Sequence, residues 1–183
     1  MTRVFKNSGF ACLIMIIMIV SGTLAGSRGS LMALRGAAES VFTLGARGDG
    51  IGVQSDLNER MSAAYNMVVI ARKYLPEENA LIQNTLSARE KLNSAVGVKE
   101  KSSANKALTI AVKDLYDALS SMALNDADSR YPQSLYTDFR SSADRISHDP
   151  YNGKALEFNK ILARFPASVL GGLSGVKPIE LFE

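Results

Sequence analysis

The chain contains no tryptophan, one histidine and one cysteine among its 183 residues. A single cysteine excludes an intrachain disulfide and a metal site with several thiolate ligands. The carboxylate-bridged metal pair of helical bundles needs Glu-x-x-His on two helices, whereas the only histidine, His148, has Arg145 three residues before it. A serine triad would also have to use His148, and no nucleophile-elbow motif lies beside it. We therefore expect no enzyme activity, no cofactor, and no catalytic, cofactor-binding or metal-binding residue.

A concentrated basic face is also lacking. The net charge is +3, from 21 basic and 18 acidic residues, and no acidic residue occurs before Glu39. Two of the basic residues, Arg3 and Lys6, precede the apolar N-terminal run, which leaves 19 basic against 18 acidic residues downstream. Binding to nucleic acid depends on clustered cations that displace counterions from phosphates. We therefore expect no nucleic-acid partner.

Sustained period-two alternation, the pattern of a half-buried strand, is absent as well. Apolar side chains recur instead at spacings of three and four residues, the period of one face of a helix. These positions are Leu31, Leu34, Ala38 and Val41; Leu57, Met61, Ala64, Val68, Ala71 and Leu75; Leu81, Thr85, Ala88 and Leu92; Ala104, Leu108, Ala111, Leu115, Ala118 and Met122; Tyr131, Leu135, Phe139, Ser142 and Ile146; and Tyr151, Ala155, Phe158, Leu162 and Phe165. We expect an all-α fold whose helices bury these faces against one another in an antiparallel bundle.

Turn and capping residues divide the first half of the chain. Four glycines between Gly45 and Gly52 predict a flexible loop, since glycine is costly inside a helix. Asp56 followed by Glu59 fits a capping pattern, so the second helix is expected to begin at Ser55 or Asp56. Pro76 predicts the first turn of another helix, where a missing amide costs nothing.

The second half has its own boundary signals. Gly97 is expected to end one helix, and the next is expected to run from Lys99 to Leu124. Asn125 is expected to cap the helix that follows. Asp149 and Pro150 form a typical cap and first-turn pair for the last long helix.

The C-terminal tail differs from the helical stretches. Pro166 is expected to end the last helix, and the segment from Phe165 to Glu183 is apolar without a helical period. Two interpretations stay open: the tail packs back onto the bundle, or it presents a surface to a partner.

The strongest local signal is the uncharged run from Gly9 to Ala25, which is 17 residues long. As a helix it would reach about 25 Å, slightly less than a hydrocarbon core of about 30 Å. A retained transmembrane anchor over residues 1–26, contacting lipid through residues 9–25, is favoured over a cleaved signal peptide ending at Thr23-Leu24-Ala25. Residues 27–183 would then form the bundle domain.

The numbers of basic residues before and after the apolar run are nearly equal, so they give little preference for the orientation of the anchor. Arg3 and Lys6 lie before the apolar run, and Arg28 and Arg35 lie after it. Cytoplasmic flanks carry the excess of basic residues. The early basic residues and the terminal amine favour an internal N-terminus, which would place the bundle outside the cytoplasm.

The segment YNGKALEFNKILARFPASVLGGLSGVKPIELFE, Tyr151 to Glu183, closely resembles the terminal signature of the LemA family of bacterial proteins. The shared features are a Tyr-Asn start, a central Asn, a Phe-Pro stop, a glycine-rich turn, and a Lys followed by a Phe-Glu end. They are Tyr151, Asn152, Asn159, Phe165, Pro166, Gly171, Gly175, Lys177, Phe182 and Glu183. The resemblance implies a membrane-tethered, elongated four-helix bundle of bacterial origin, and it implies no reaction and no catalytic residues.

Two functions follow from these observations. The first is a structural or protein-interaction module, anchored by a single pass in the bacterial cell membrane and docking protein partners whose identity the sequence does not give. The alternative is an extracytoplasmic ligand-sensing or accessory hydrolytic domain. That alternative needs a pocket enclosed by tyrosines and carboxylates, and the candidates are Tyr65, Tyr116, Tyr136, Asp114 and Asp138.

Overall fold

The computed structural model describes residues 8–183, and all regular secondary structure in that range is helical. The helices are α1 (Ser8–Leu44), α2 (Val53–Ala71), α3 (Ala80–Ser94), α4 (Val98–Ser120), α5 (Tyr131–His148), α6 (Tyr151–Leu162) and α7 (Ala167–Ser174). The predicted all-α fold is confirmed. The predictions for Arg3 and Lys6 fall outside the described residues.

Helix α1 joins two predicted segments, the apolar run and the helix with the face Leu31, Leu34, Ala38 and Val41, in one helix of 37 residues. Glycines inside α1 cost helix stability but do not remove a backbone donor as proline would. Most apolar side chains of its first half are exposed, Leu13, Ile17 and Met18 among them. Within residues 8–183, α1 is the one helix long and apolar enough to cross a membrane.

The chain divides into two compact units. The first comprises the described residues up to Glu39 together with Lys154–Ile179, and so includes most of α1, most of α6 and the whole of α7. The second comprises Ser40–Gly153 with Glu180–Glu183, and includes α2 to α5.

In the second unit, α2 packs against α3, α4 and α5, and α4 packs against α3 and α5. The predicted apolar face of α2 is buried from Leu57 to Ala71. On α4 the buried side chains are larger than predicted, because Val112 and Leu119 occupy the core beside Leu108 and Leu115, and Ala111 and Ala118 are only half-buried. The larger side chains are inside because they remove more apolar surface from water.

The predicted glycine loop between α1 and α2 is present. Gly45, Gly48 and Gly50 have φ angles of 72°, 71° and 82°, in the left-handed region that favours glycine. Gly52 is needed for a different reason, since a Cβ built there would lie 2.5 Å from the carbonyl oxygen of Val41. The loop therefore folds back closely against the end of α1.

Two helix starts were predicted wrongly. Helix α2 begins at Val53 rather than at Asp56, whose carboxylate is turned inward and paired with Arg145 instead of capping the helix. Helix α3 begins at Ala80 rather than near Pro76, because Asn79 provides the cap by accepting a hydrogen bond of 2.9 Å from the Leu81 amide.

The remaining boundaries give a mixed result. Gly97 precedes α4 as its capping residue instead of ending α3. Asn125 accepts a bond of 2.7 Å from the Asp128 amide and closes a turn, so it does not cap α5, which begins at Tyr131. The Asp149 cap is confirmed, since its carboxylate accepts a bond of 2.8 Å from the amide of Tyr151 at the start of α6.

Helix α7 was not predicted. Pro166 directly precedes it, and Gly175, with φ 73°, ends it in a left-handed conformation. Phe165 was expected on the buried face of α6, but α6 ends at Leu162 and the ring of Phe165 is exposed. With eight residues and two central glycines, α7 is too short to show a helical period.

Candidate functional site

A polar cluster ties α2 to α5 near the start of α2. Asp56, only 5% exposed, accepts a bond of 2.6 Å from Nε of Arg145. A second nitrogen of Arg145 pairs with Glu59, and the hydroxyl of Ser142 donates to the same Glu59 carboxylate at 3.1 Å. The hydrogen bond to Asp56 raises the pKa of Arg145 above its usual value. Each charge in the cluster therefore has an opposite partner.

Next to this cluster a groove of about 490 Å³ runs between α2 and α5. It is lined by Ser55, Asn58, Glu59, Ser62, Ala63, Asn66, Leu135, Asp138, Ser141, Ser142 and Arg145. Serine and asparagine recur along α2 at spacings of three and four, which places their side chains on one face. These hydroxyl and amide groups can exchange hydrogen bonds with a polar partner.

Arg60 lies one turn further along α2 and is 1% exposed. One terminal nitrogen donates to the Phe139 carbonyl oxygen at 3.0 Å, and the other donates to Oγ1 of Thr109 at 2.6 Å. The guanidinium carbon lies 3.8 Å from the centre of the Phe139 ring. Nε has no hydrogen-bond partner among the described residues. Burial lowers the pKa of Arg60 to about 10, so it stays charged at neutral pH and is held by neutral groups.

A third polar cluster fixes the connection between α4 and α5. Asp128, 3% exposed, accepts bonds from Nζ of Lys73 at 2.7 Å and from the hydroxyl of Tyr74 at 2.9 Å. The hydrogen bonds from Lys73 and then Tyr74 lower the pKa of Asp128. The Tyr74 hydroxyl in turn accepts a bond from the Asn125 amide at 3.2 Å. The connection is therefore tied to the end of α2.

Two asparagines of α6 hold the C-terminal tail. The side chain of Asn159 donates to the Ile179 carbonyl oxygen at 2.9 Å and accepts from the Ile179 amide at 2.8 Å. Asn152 makes the same pair of bonds with Phe182, at 2.6 and 2.9 Å. The hydroxyl of Tyr151 donates to the Glu180 carbonyl oxygen at 2.7 Å. Each asparagine amide donates one bond to the tail backbone and accepts another from it, as the backbone of a neighbouring strand would.

The structure does not bring the tyrosine pocket together as the alternative function needs. Tyr116 and Tyr136 stack with ring centres 4.1 Å apart, whereas the ring of Tyr65 lies under Arg89 of α3. The carboxylates are placed at different surfaces. Asp138 lines the groove between α2 and α5, and Asp114 lines another groove of about 300 Å³ between α3 and α4.

The reactive side chains considered in the sequence lie at the surface. His148 ends α5 and is exposed, with Nδ1 2.9 Å from the Asp144 carbonyl oxygen. Cys12 is exposed on α1. Within residues 8–183 no group of three His, Cys, Asp or Glu side chains is placed to hold a metal ion.

Sequence reasoning missed Arg60 and the partners of Asp56. A signal for Arg60 was present, because it falls between Leu57 and Met61 on the apolar face of α2. The partner of Asp56, Arg145, lies 89 residues away in sequence, and no local pattern connects the two.

The described residues define an all-helical protein with one long apolar helix. Polar clusters on its other helices join α2 to α5 and hold the C-terminal tail on α6. The chain belongs to the LemA family, since the family model matches residues 51–183. A comparison with curated proteins returns no match. The resemblance read from the C-terminal signature is therefore confirmed, and in this structure Asn152 and Asn159 of that signature hold the tail.

Proposed function

We propose that this LemA-family protein is anchored in the bacterial cell membrane by a single pass of α1 and serves as a structural or protein-interaction module without enzymatic activity. One observation carries the proposal. The apolar side chains of α1 from Leu13 to Val20 are exposed almost without exception. An apolar surface of this length needs a covering, and a bilayer covers all sides of a helix at once. The division of the chain at residue 26 stays a prediction.

The proposal includes an antiparallel four-helix bundle made of α2 to α5. The order of cross-helix contacts supports it. On α2, Asp56 precedes Arg60, whereas their partners on α5 come in the opposite order, Arg145 after Phe139. Short connections between consecutive helices favour the same arrangement.

A docking role is supported by the shape of the polar surfaces. The grooves beside α5 and between α3 and α4 are open to solvent, and the core between the helices is filled by buried side chains. Open grooves suit a protein partner, whereas small ligands favour pockets that enclose most of their surface. Residues of the α2–α5 groove such as Asn58 and Asn66 are the proposed contact points.

Membrane fractionation of the full chain tests the anchor. Ile16→Arg with Ile17→Arg places two charges near the middle of the run, at about 3 kcal/mol each by insertion scales. The native chain is expected to stay in the membrane pellet after alkaline carbonate treatment, and the double variant is expected to be released. Ile16→Leu with Ile17→Leu is the matched control and should behave as the native chain does. A native chain that is released, or whose mass shows cleavage after Ala25, contradicts the proposal.

Orientation and partners need separate measurements. A bundle outside the cytoplasm predicts that protease added to intact spheroplasts digests it, and survival of the bundle until lysis would show the opposite orientation. Crosslinking in intact cells followed by mass spectrometry is expected to recover a specific neighbouring protein. Failure to recover one removes the support for the docking role.

A further inference from the structure

Helix α7 presents an apolar face to its surroundings. Phe165 just before it and Val169 and Leu173 within it are 85%, 53% and 70% exposed. Val169 and Leu173 are four residues apart, which places them on one side of α7, and Phe165 lies in the turn before the helix. The other side is closed, since Gly171 is buried and a Cβ there would meet the side chain of Leu162. Single exposed apolar residues are ordinary, but three this close together in one short segment form a patch.

Helix α7 lies beside α1 in the first unit. A groove of about 470 Å³ separates α7 from α1. On α1 it is lined from Gly22 to Leu31, and on the α7 segment by Pro166, Ala167 and Leu170. The groove therefore begins inside the apolar run of α1, which ends at Ala25, and extends about 9 Å beyond it. With α1 as the proposed anchor, α7 would lie at the level where α1 leaves the hydrocarbon.

We propose that the face formed by Phe165, Val169 and Leu173 is embedded in the membrane interface beside α1. This rests on the proposed membrane anchor. The lipid that surrounds α1 is continuous with the surface next to α7, so no further partner is needed to cover the patch. Amphipathic helices bind interfaces through such a face.

Charge around α7 suits a lipid headgroup region. Arg164 precedes the face, Lys177 follows it, and no acidic residue lies between them. Basic side chains near a membrane surface are attracted to anionic headgroups. A Cβ at Gly171 would lie 3.8 Å from the side chain of Leu31, so α7 also approaches α1 at the end of the groove away from Gly22.

Because the chain has no tryptophan, single-tryptophan variants of the full chain report lipid contact. The variants are Met18→Trp in the anchor, Phe165→Trp and Leu173→Trp on the proposed face, and Leu156→Trp as the control. Leu156 is an exposed apolar residue on α6 in the same unit. Each variant is reconstituted in phosphatidylcholine and phosphatidylglycerol vesicles, with and without brominated acyl chains, and helicity is checked by circular dichroism.

Bromine is expected to quench Met18→Trp most strongly, to quench Phe165→Trp and Leu173→Trp less strongly, and to leave Leu156→Trp unchanged. An unquenched Met18→Trp would overturn the anchor itself. Quenching of Met18→Trp without quenching of Phe165→Trp and Leu173→Trp would leave the anchor intact and overturn the inference about α7. A blue-shifted but unquenched Phe165→Trp would assign the face to a protein, including a second copy of this chain. Equal quenching of Leu156→Trp would show general adsorption and also overturn the inference.

Discussion

At the scale of single residues, Arg60 is the least expected feature. A buried cation usually has a carboxylate beside it, but the hydrogen-bond partners of Arg60 are the Phe139 carbonyl oxygen and the Thr109 hydroxyl. The aromatic ring and the two bonds offset part of the cost of removing the charge from water. The residue therefore links α2, α4 and α5 at a cost to stability.

Replacing Arg60 tests that cost. Arg60→Met keeps most of the volume and removes the charge, so the free energy of unfolding in urea should be unchanged or higher by up to about 2 kcal/mol. Arg60→Ala leaves a cavity and should lower it by about 2 to 4 kcal/mol. Arg140→Met, at an exposed position of α5, is the control and should stay within about 0.5 kcal/mol of the native value. A loss with Arg60→Met as large as with Arg60→Ala would show that the charge itself stabilises the fold.

Asp128 should make stability depend on pH. Its folded pKa is lowered by the bonds from Lys73 and Tyr74, so its contribution is fully present above the unfolded pKa, about 3.9. That contribution is lost as pH falls through the lower folded pKa. Asp128→Asn should therefore reduce the decline in the free energy of unfolding below about pH 4. Asp126→Asn, an exposed position in the same turn, shows what removal of any carboxylate does there. Equal slopes for the native chain and Asp128→Asn would exclude the role assigned to Asp128.

At the scale of elements, the apolar period predicted the helices that correspond to α2 to α6, because apolar residues recur every three or four positions in each. On α5 the prediction that Tyr131 faces inward was wrong, since its side chain is exposed. Their starts were less predictable. Asp56 and Pro76 are ordinary start signals, but Asp56 is turned toward Arg145 and Asn79 caps α3 instead. Helix α7 has too few turns for a period. The polar clusters join residues far apart in sequence, so their composition could not be read locally.

Gly52 should tolerate no side chain. A Cβ there would lie 2.5 Å from the Val41 carbonyl oxygen and 2.6 Å from that of Phe42, and backbone atoms cannot move aside cheaply. Gly52→Ala is expected to lower the melting temperature and to lower the free energy of unfolding by more than about 2 kcal/mol. Gly153→Ala is the matched control, since nothing lies within 4 Å of its Cβ position in α6. It should be neutral or stabilising by up to about 1 kcal/mol. Similar effects from both variants would contradict the close approach.

The Asn159 side chain both donates to and accepts from the Ile179 backbone, so its removal should loosen the tail. Asn159→Ala removes the acceptor for the Ile179 amide and the donor for its carbonyl oxygen. Hydrogen exchange at the Ile179 amide should accelerate, and stability should fall by about 1 to 3 kcal/mol. Asn159→Asp keeps the acceptor, so the Ile179 amide should stay protected. Asn84→Ala, at an exposed position of α3, is the control. Unchanged exchange at Ile179 in Asn159→Ala would show that the tail is held by other contacts.

At the scale of the whole molecule, the central claim is that α1 is a retained membrane anchor. The apolar run from Gly9 to Ala25 was evident in the sequence, and its side chains are exposed along α1. Family membership adds that residues 51–183 match the LemA family. The sequence does not show what covers each exposed apolar surface, since both lipid and protein can cover one.

The single thiol of the chain provides the most direct measurement. Cys12 lies inside the apolar run and is exposed on α1, so a lipid-embedded α1 should shield it from a membrane-impermeant maleimide. In intact membranes, labelling is expected only after denaturation in sodium dodecyl sulfate. Ser103→Cys, at an exposed position of α4, shows that the reagent reaches the domain once the membranes are opened. Labelling of Cys12 in intact membranes would contradict the anchor. A mature chain that takes no label at Cys12 even after denaturation would contradict its retention.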